Sequence, residues 1–132
     1  MKKNSKQVLL VDDDPDDLDL YIDLFKSIDP RISTVAFRDP VKAFSHLQKS
    51  MSLPGLTILD YNMPKMTGLD FLKRVRAHNA LEDLPVTVVT TGCDPKIAEA
   101  LLALGAECHQ KATEVDDIKK LLKLLLTRAQ QN

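Results

Sequence analysis

Five residues of this 132-residue chain, at the ends of four segments that read as strands, could do phosphate and metal chemistry together. Asp12 and Asp13 follow "VLLV", Asp60 follows "LTIL", Thr90 closes "TVVT" and Lys111 follows "ECHQ". Carboxylates and carbonyls around an incompletely wrapped octahedral cation describe a magnesium site that keeps some of its waters. The stretch "VLLVDDDPDD" shows why a cation is wanted. Carboxylates about 4 Å apart repel by ~1 kcal/mol in bulk water and by ~4 kcal/mol at an effective dielectric near 20. Asp14 has a local use, capping a helix that Pro15 opens. Asp16, Asp17 and Asp19 fall in that helix's early turns, where negative charge is favoured for structural reasons alone. Asp12 and Asp13 have no such local use.

For these residues to meet, the elements behind them must form one sheet. "QVLLV" and "TVVT" are short, branched and without polar alternation, as strands buried on both faces are. "LTILD" reads the same way, "ISTVAF" reads as a strand nearer an edge, and "ECHQ" is placed as the fifth. Helical patterns lie between them. Leu18, Ile22 and Phe25 stripe the first, and Val41, Phe44 and Leu47 stripe a second that opens at Asp39-Pro40. Leu69, Leu72 and Val75 stripe a third. A fourth opens at Asp94-Pro95 and stops at Gly105. A fifth opens at Thr113 with Val115, Ile118, Leu121, Leu122 and Leu125, which Leu124 and Leu126 widen toward either more core or a partner surface. Strand and helix thus alternate five times, predicting a parallel α/β sheet with helices on both faces. In such sheets function gathers beyond the carboxyl ends of the strands, where all five residues fall. Gly68, after Met-Pro and before a helix, suits either a tight turn or simple helix-entry punctuation.

Composition excludes little but sets the class. Apolar residues make up 44% and charged residues 28% at net charge −1, the balance of a globular domain without a basic field for nucleic acid or anionic membrane. No apolar run approaches the ~20 residues of a membrane span, and the run after "MKKNSKQ" is too short for a signal-peptide core. Cys93 and Cys108 lack any C-x-x-C or histidine spacing and read as free thiols in a reducing cytoplasm. His46 and His78 read as solvent-facing.

"LLVDDDPDD", "ILDYNMPKMTG" and "LPVTVVTTG", in that order, closely resemble the receiver domain of bacterial two-component response regulators, over about Lys6 to Arg128. The resemblance implies a (βα)5 doubly wound, flavodoxin/CheY-like fold, strand order 2-1-3-4-5, in a single receiver domain (1–132, core about 6–128) without an output domain. It implies that Asp60 accepts a phosphoryl group from a phosphohistidine. Asp12, Asp13, Asp60 and the backbone carbonyl of Asn62 would hold Mg2+ or Mn2+. Thr90 would move onto the phosphoryl group and Lys111 would pair with it. The implied partners are a histidine kinase or histidine phosphotransfer protein and a downstream protein target, not nucleic acid or membrane. A homodimer through the fourth helix, fifth strand and fifth helix is also possible in such a fold.

Three departures bear on switching. Gly105 to Lys111 is six steps where the family has seven. Ala112 stands where the family has a proline after the lysine; a non-proline cis bond costs ~2.5–4 kcal/mol, so a trans bond and a shifted Lys111 ammonium are expected. The family's aromatic rotor on the fifth strand is missing, with Cys108 or His109 in its place. The leading expectation is a stand-alone cytoplasmic phosphorylation switch or phosphorelay intermediate, assisting its own phosphotransfer and dephosphorylation but turning over no metabolite. The alternative is a constitutive receiver-fold interaction module with weakened switching. A phosphohydrolase is disfavoured, because Asn62 stands where a general acid would be needed.

Overall fold

Alternating strands and helices build the computed structural model, which describes residues 2–131. They are β1 (Lys3–Val11), α1 (Pro15–Ile28), β2 (Ser33–Phe37), α2 (Pro40–Lys49), β3 (Leu53–Leu59), α3 (Gly68–Ala77), β4 (Val86–Thr90), α4 (Pro95–Ala103), β5 (Glu107–Gln110) and α5 (Val115–Gln131). All strand pairs are parallel, in the order β2-β1-β3-β4-β5. The chain begins mid-sheet, builds one edge and then crosses back past β1. That reversal places the ends of β1 and β3 side by side and opens a crevice beyond them.

Side-chain alternation along the strands divides the core in two. Leu9 and Val11 pack with Phe44, Phe71, Val75 and Leu101 on the α2–α4 face. Val8 and Leu10 pack with Leu18, Tyr21, Phe25 and Leu122 on the α1/α5 face. Burying each such side chain contributes ~1.5–3 kcal/mol. β3 is buried at every position, which is why "LTIL" shows no polar alternation.

Helix starts follow the expected chemistry. Asp14, Asp39 and Asp94 accept the backbone N–H two residues on at 2.9, 2.9 and 2.8 Å, each with a proline opening the helix. α3 instead has a reciprocal Thr67–Asp70 capping box. Gly105 ends the α4 segment in the left-handed region, φ 79°.

Several expectations are corrected. Val41 and Val115 are 43% and 52% exposed, because α2 turns Pro40 and Ala43 inward and leaves Val41 on its outer side, while Val115 opens an exposed first turn of α5. α5 begins at Val115 rather than Thr113. In α1 the stripe is rotated, so Tyr21 and Leu24 are buried while Ile22 is half-buried. In α3, Phe71 is fully buried where Leu69 is half-buried. β1 extends back to Lys3 through a register shift against β3 between Asn4 and Val8; the polar "KNSKQ" pairs through its backbone, which apolar patterning does not report. His46 and His78 are half-buried rather than solvent-facing, with rings 5.1 Å from Phe37 and 6.1 Å from Phe44.

At the pole opposite the crevice, Arg76 donates from Nε to the Leu104 carbonyl at 2.7 Å. Its Nη1 donates to the Glu82 and Leu84 carbonyls at 2.8 Å. No helix among the described residues is long and apolar enough to cross a membrane.

Candidate functional site

Ladder bonds carried just past the strand ends place the acidic residues. The Asp12 N–H donates to the Phe37 carbonyl at 3.1 Å, and the Asp60 N–H to the Val11 carbonyl at 2.9 Å. The Lys111 N–H donates to the Thr90 carbonyl at 2.8 Å. One carboxylate oxygen from each of Asp12, Asp13 and Asp60 lies within 4.8 Å of the others. Asp12 and Asp60 are buried and Asp13 half-buried. Three hard oxygen donors so placed fit a divalent magnesium or manganese ion with coordination positions left over. Asn62 lies two residues beyond Asp60 in an exposed part of the β3–α3 loop.

Lys111 is the cation inside the cluster. Its Nζ is 2.8 Å from Asp17, 3.1 Å from Asp12 and 3.6 Å from Asp60. The chain has no cis peptide bond among the described residues, as the Ala112 substitution predicts. Burial alone would lower the Lys111 ammonium. The Asp17 hydrogen bond and the charges of Asp12 and Asp60 outweigh it and hold the group above its usual range.

The carboxylates shift the other way. Burial, with the Asp12 charge next, pushes Asp60 up to about 6 against Lys111 and the Tyr61 N–H. That N–H donates to Asp60 Oδ1 at 2.9 Å. Asp12 is raised by burial, opposed by the Asp14 N–H and Lys111. Three carboxylates thus crowd one ammonium, with Asp13 beside two of them, and the unpaired excess of negative charge is what a divalent ion would neutralise. Burial also pushes the nearby Tyr21 phenol up to about 12, so it stays protonated.

Thr90 is fully buried, and its Oγ1 has no hydrogen-bond partner. An unsatisfied buried hydroxyl costs ~1–3 kcal/mol, so one at the end of β4 is a donor without an acceptor. Gly68 resolves toward the tight turn: a Cβ there would sit 2.9 Å from the Asp60 carbonyl oxygen and 3.1 Å from Tyr61 Cα. Its N–H donates to the Tyr61 carbonyl at 2.7 Å, folding the loop back under Asp60. Outside the crevice, Arg38 Nε donates to the Asp13 carbonyl at 3.3 Å. Lys65, at φ 75°, bonds Asp39 at 2.8 Å, joining the β2–α2 and β3–α3 loops.

The structure therefore brings together Asp12, Asp13, Asp60 and Lys111 from separate strand ends. It adds two residues that sequence reasoning left out. Asp17 is a partner of Lys111 and not merely a charge in an early helical turn. The i, i+4 row Asp17–Tyr21–Phe25 carries the signal, which reading the stripe through Ile22 concealed. Gln110 Nε2 donates to the Thr91 carbonyl, holding the start of the β4–α4 loop against β5. In the β4–β5 register Cys108 stands opposite Val88 and His109 opposite Val89. Cys108 packs against the α2–α4 core, the face that Val88 shares with Thr90 by alternation. It is therefore Cys108 that occupies the strand position beneath the Thr90 side of the sheet.

A five-stranded parallel sheet in this order, with an acidic crevice beyond β1 and β3, defines the CheY-like α/β class. The chain belongs to the response regulator receiver domain family, whose model matches residues 8–124. The response regulator Rcp1 of Synechocystis sp. is 28% identical over 125 residues, covering 91% of this chain and 84% of that protein. The Mn(2+)-bound form of Rcp1 superposes with TM-score 0.75 at 28% identity, covering 89% of each chain. The chemotaxis response regulator CheY4 of Vibrio cholerae does so with TM-score 0.74 at 27% identity, covering 90% of this chain and 97% of that one. The chain spans 33%, 25% and 35% of the length of three other curated response regulators that it matches. Receiver domains are signalling modules of two-component systems. They bind Mg2+ in an acidic pocket and interact with histidine kinases or phosphotransfer proteins.

Proposed function

We propose that Asp60 accepts a phosphoryl group from a phosphohistidine and that the chain works as a cytoplasmic phosphorylation switch or relay intermediate. One observation carries this: the Asp60 carboxylate shares a buried cluster with Asp12, Asp13 and Lys111, beside a Thr90 hydroxyl without a partner. Asp12, Asp13, Asp60 and the Asn62 carbonyl would hold the ion, and the manganese-bound Rcp1 supports that reading. When bound, a divalent ion neutralises charge between carboxylate and phosphoryl group.

The chain's own residues do the rest. An Asp60 oxygen attacks phosphorus as the phosphorus–nitrogen bond to the donor imidazole breaks, and the imidazole takes its proton from solvent. Lys111, already 3.6 Å from Asp60, pairs with a phosphoryl oxygen through a charge-assisted bond. The Thr90 hydroxyl donates to another, which satisfies a group unpartnered beforehand. Both moves pull on the ends of β4 and β5, biasing the loops that follow. Partners would be a histidine kinase or histidine phosphotransfer protein, and a protein target or second copy at the α4–β5–α5 face. On that face Leu102 and Leu124 are 64% and 46% exposed.

Incubation with acetyl phosphate and magnesium tests the assignment. Acid-labile phosphate should map to Asp60 and disappear in Asp60→Asn; undiminished uptake by that variant would overturn it. A constitutive interaction module is the second reading. It is favoured by Cys108 at the rotor position and by a Lys111 held closer to Asp17 than to Asp60. Beryllofluoride binding without amide shifts beyond the crevice would select it.

A further inference from the structure

The edge strand β2 supplies none of the clustered carboxylates, yet three consecutive residues at its end reach the loops that do. The Phe37 carbonyl accepts the Asp12 N–H at 3.1 Å. Arg38 Nε donates to the Asp13 carbonyl at 3.3 Å. Asp39 Oδ2 accepts from Lys65 Nζ at 2.8 Å, while its Oδ1 caps α2 through the Val41 N–H at 2.9 Å. The first two bonds hold the start of the β1–α1 loop, and the third holds the β3–α3 loop that follows Asp60. Lys65 sits at φ 75°, a region that residues other than glycine occupy sparingly, so Asp39 grips that loop at its left-handed turn. The Lys65 hydrogen bond holds the Asp39 carboxyl below its usual range. Beside these ties lies a cavity of about 320 Å³ lined by Asp13, Arg38, Asp39, Pro40, Pro64 and Lys65. On this side of the crevice the loops are therefore joined by directed bonds beside open space, not by packed side chains.

We propose that Arg38 and the Asp39–Lys65 pair are positioning residues of the metal site, a clamp from the β2–α2 connection that sets the spacing of Asp13 against Asp60. The inference rests on the reading that Asp12, Asp13 and Asp60 hold a divalent ion. Neither Arg38 nor Lys65 can ligate a cation, and their charges alone would disfavour one. Their bonds act the other way, holding two ligand-bearing loops at one separation, as partners behind metal ligands commonly do. Magnesium demands near-ideal octahedral geometry, whereas calcium accepts irregular sets of oxygens. A clamp that fixes the loop spacing thus favours the smaller ion. Field and clamp have opposite signs, which makes them separable.

Magnesium and calcium are titrated separately into the full chain and followed by amide shifts, for the parent, Arg38→Met, Lys65→Met and the double variant. Each single variant should weaken magnesium binding by about threefold, the effect of one exposed hydrogen bond or ion pair. The double variant should weaken it by about tenfold if the two ties act independently. Calcium binding should weaken by less than about twofold, because its site tolerates a looser spacing. Lys65→Arg should restore the parent's affinity. Urea midpoints without metal should stay near the parent's, since exposed pairs contribute little to folding. Magnesium binding unchanged or tighter in the double variant would mean that the cations act only through their field, and would overturn the clamp. Equal losses for both ions would overturn it too. A parent chain that binds neither ion would overturn the metal reading and the clamp with it; a parent that binds magnesium while its variants bind it equally well fails the clamp alone.

Discussion

The Lys111 ammonium lies 2.8 Å from Asp17 and 3.6 Å from Asp60. A side chain from the first turn of α1 thus holds the crevice's cation partly away from the proposed phosphoacceptor. In the proposed reaction, phosphorylation would draw Lys111 off that partner. Asp17→Asn should therefore bind the phosphoryl mimic beryllofluoride more tightly, by about fivefold, or ~1 kcal/mol for one charge-assisted bond. Titration followed by amide shifts measures it; weaker binding would contradict the restraint.

Asp60 titrates at about 6 against a reference of 3.8. Its folded value is the higher one, so the folded state holds the proton more tightly than the unfolded state. The stabilisation is fully present below about pH 4 and is lost as pH rises through about 6. Without metal, Asp60→Asn should gain on the order of 1–3 kcal/mol at pH 7 and almost nothing near pH 4. Urea denaturation in chelator at both pH values gives the comparison.

Magnesium should act in the same direction as that substitution. At about 100 times its dissociation constant it should add ~2.7 kcal/mol, raising the thermal midpoint of the parent chain. Asp13→Asn should remove most of that rise, as read by thermal melts with and without the ion.

Thr90→Val replaces an unpartnered buried hydroxyl with a methyl of like shape. The resting protein should gain ~1 kcal/mol, while amide shifts caused by beryllofluoride should shrink around β4. A resting protein made less stable would mean that the hydroxyl already has a partner.

Gly68→Ala forces a Cβ to within 2.9 Å of the Asp60 carbonyl oxygen. That oxygen and the Tyr61 Cα at 3.1 Å are backbone atoms that cannot swing aside, so the loop must move. A loss of ~1–3 kcal/mol, seen as a lower thermal midpoint, should accompany slower phosphorylation at Asp60.

Most of the fold was legible because strand burial and proline-aspartate helix starts are written locally. Asp39-Pro40 needs no tertiary information to open α2, and "LTIL" can only be a doubly buried strand. The acidic cluster was legible because each member ends an apolar run. Asp17 was not, because its role depends on how far α1 is rotated against the sheet, and Ile22 and Tyr21 are nearly equivalent in sequence. Val41 and Val115 misled differently: they match the helical period but lie on the sides that α2 and α5 turn to solvent.

Arg76 gives the molecule two unlike poles. One guanidinium clasps three carbonyls, binding the α3–β4 connection to the trailing end of α4. The leading end of α4, at Pro95, has no comparable fastening. In the proposed switch, a displacement passed on from Thr90 would thereby become rotation about a pivot near Leu104, the helix swinging like a gate on its far hinge instead of sliding as a whole.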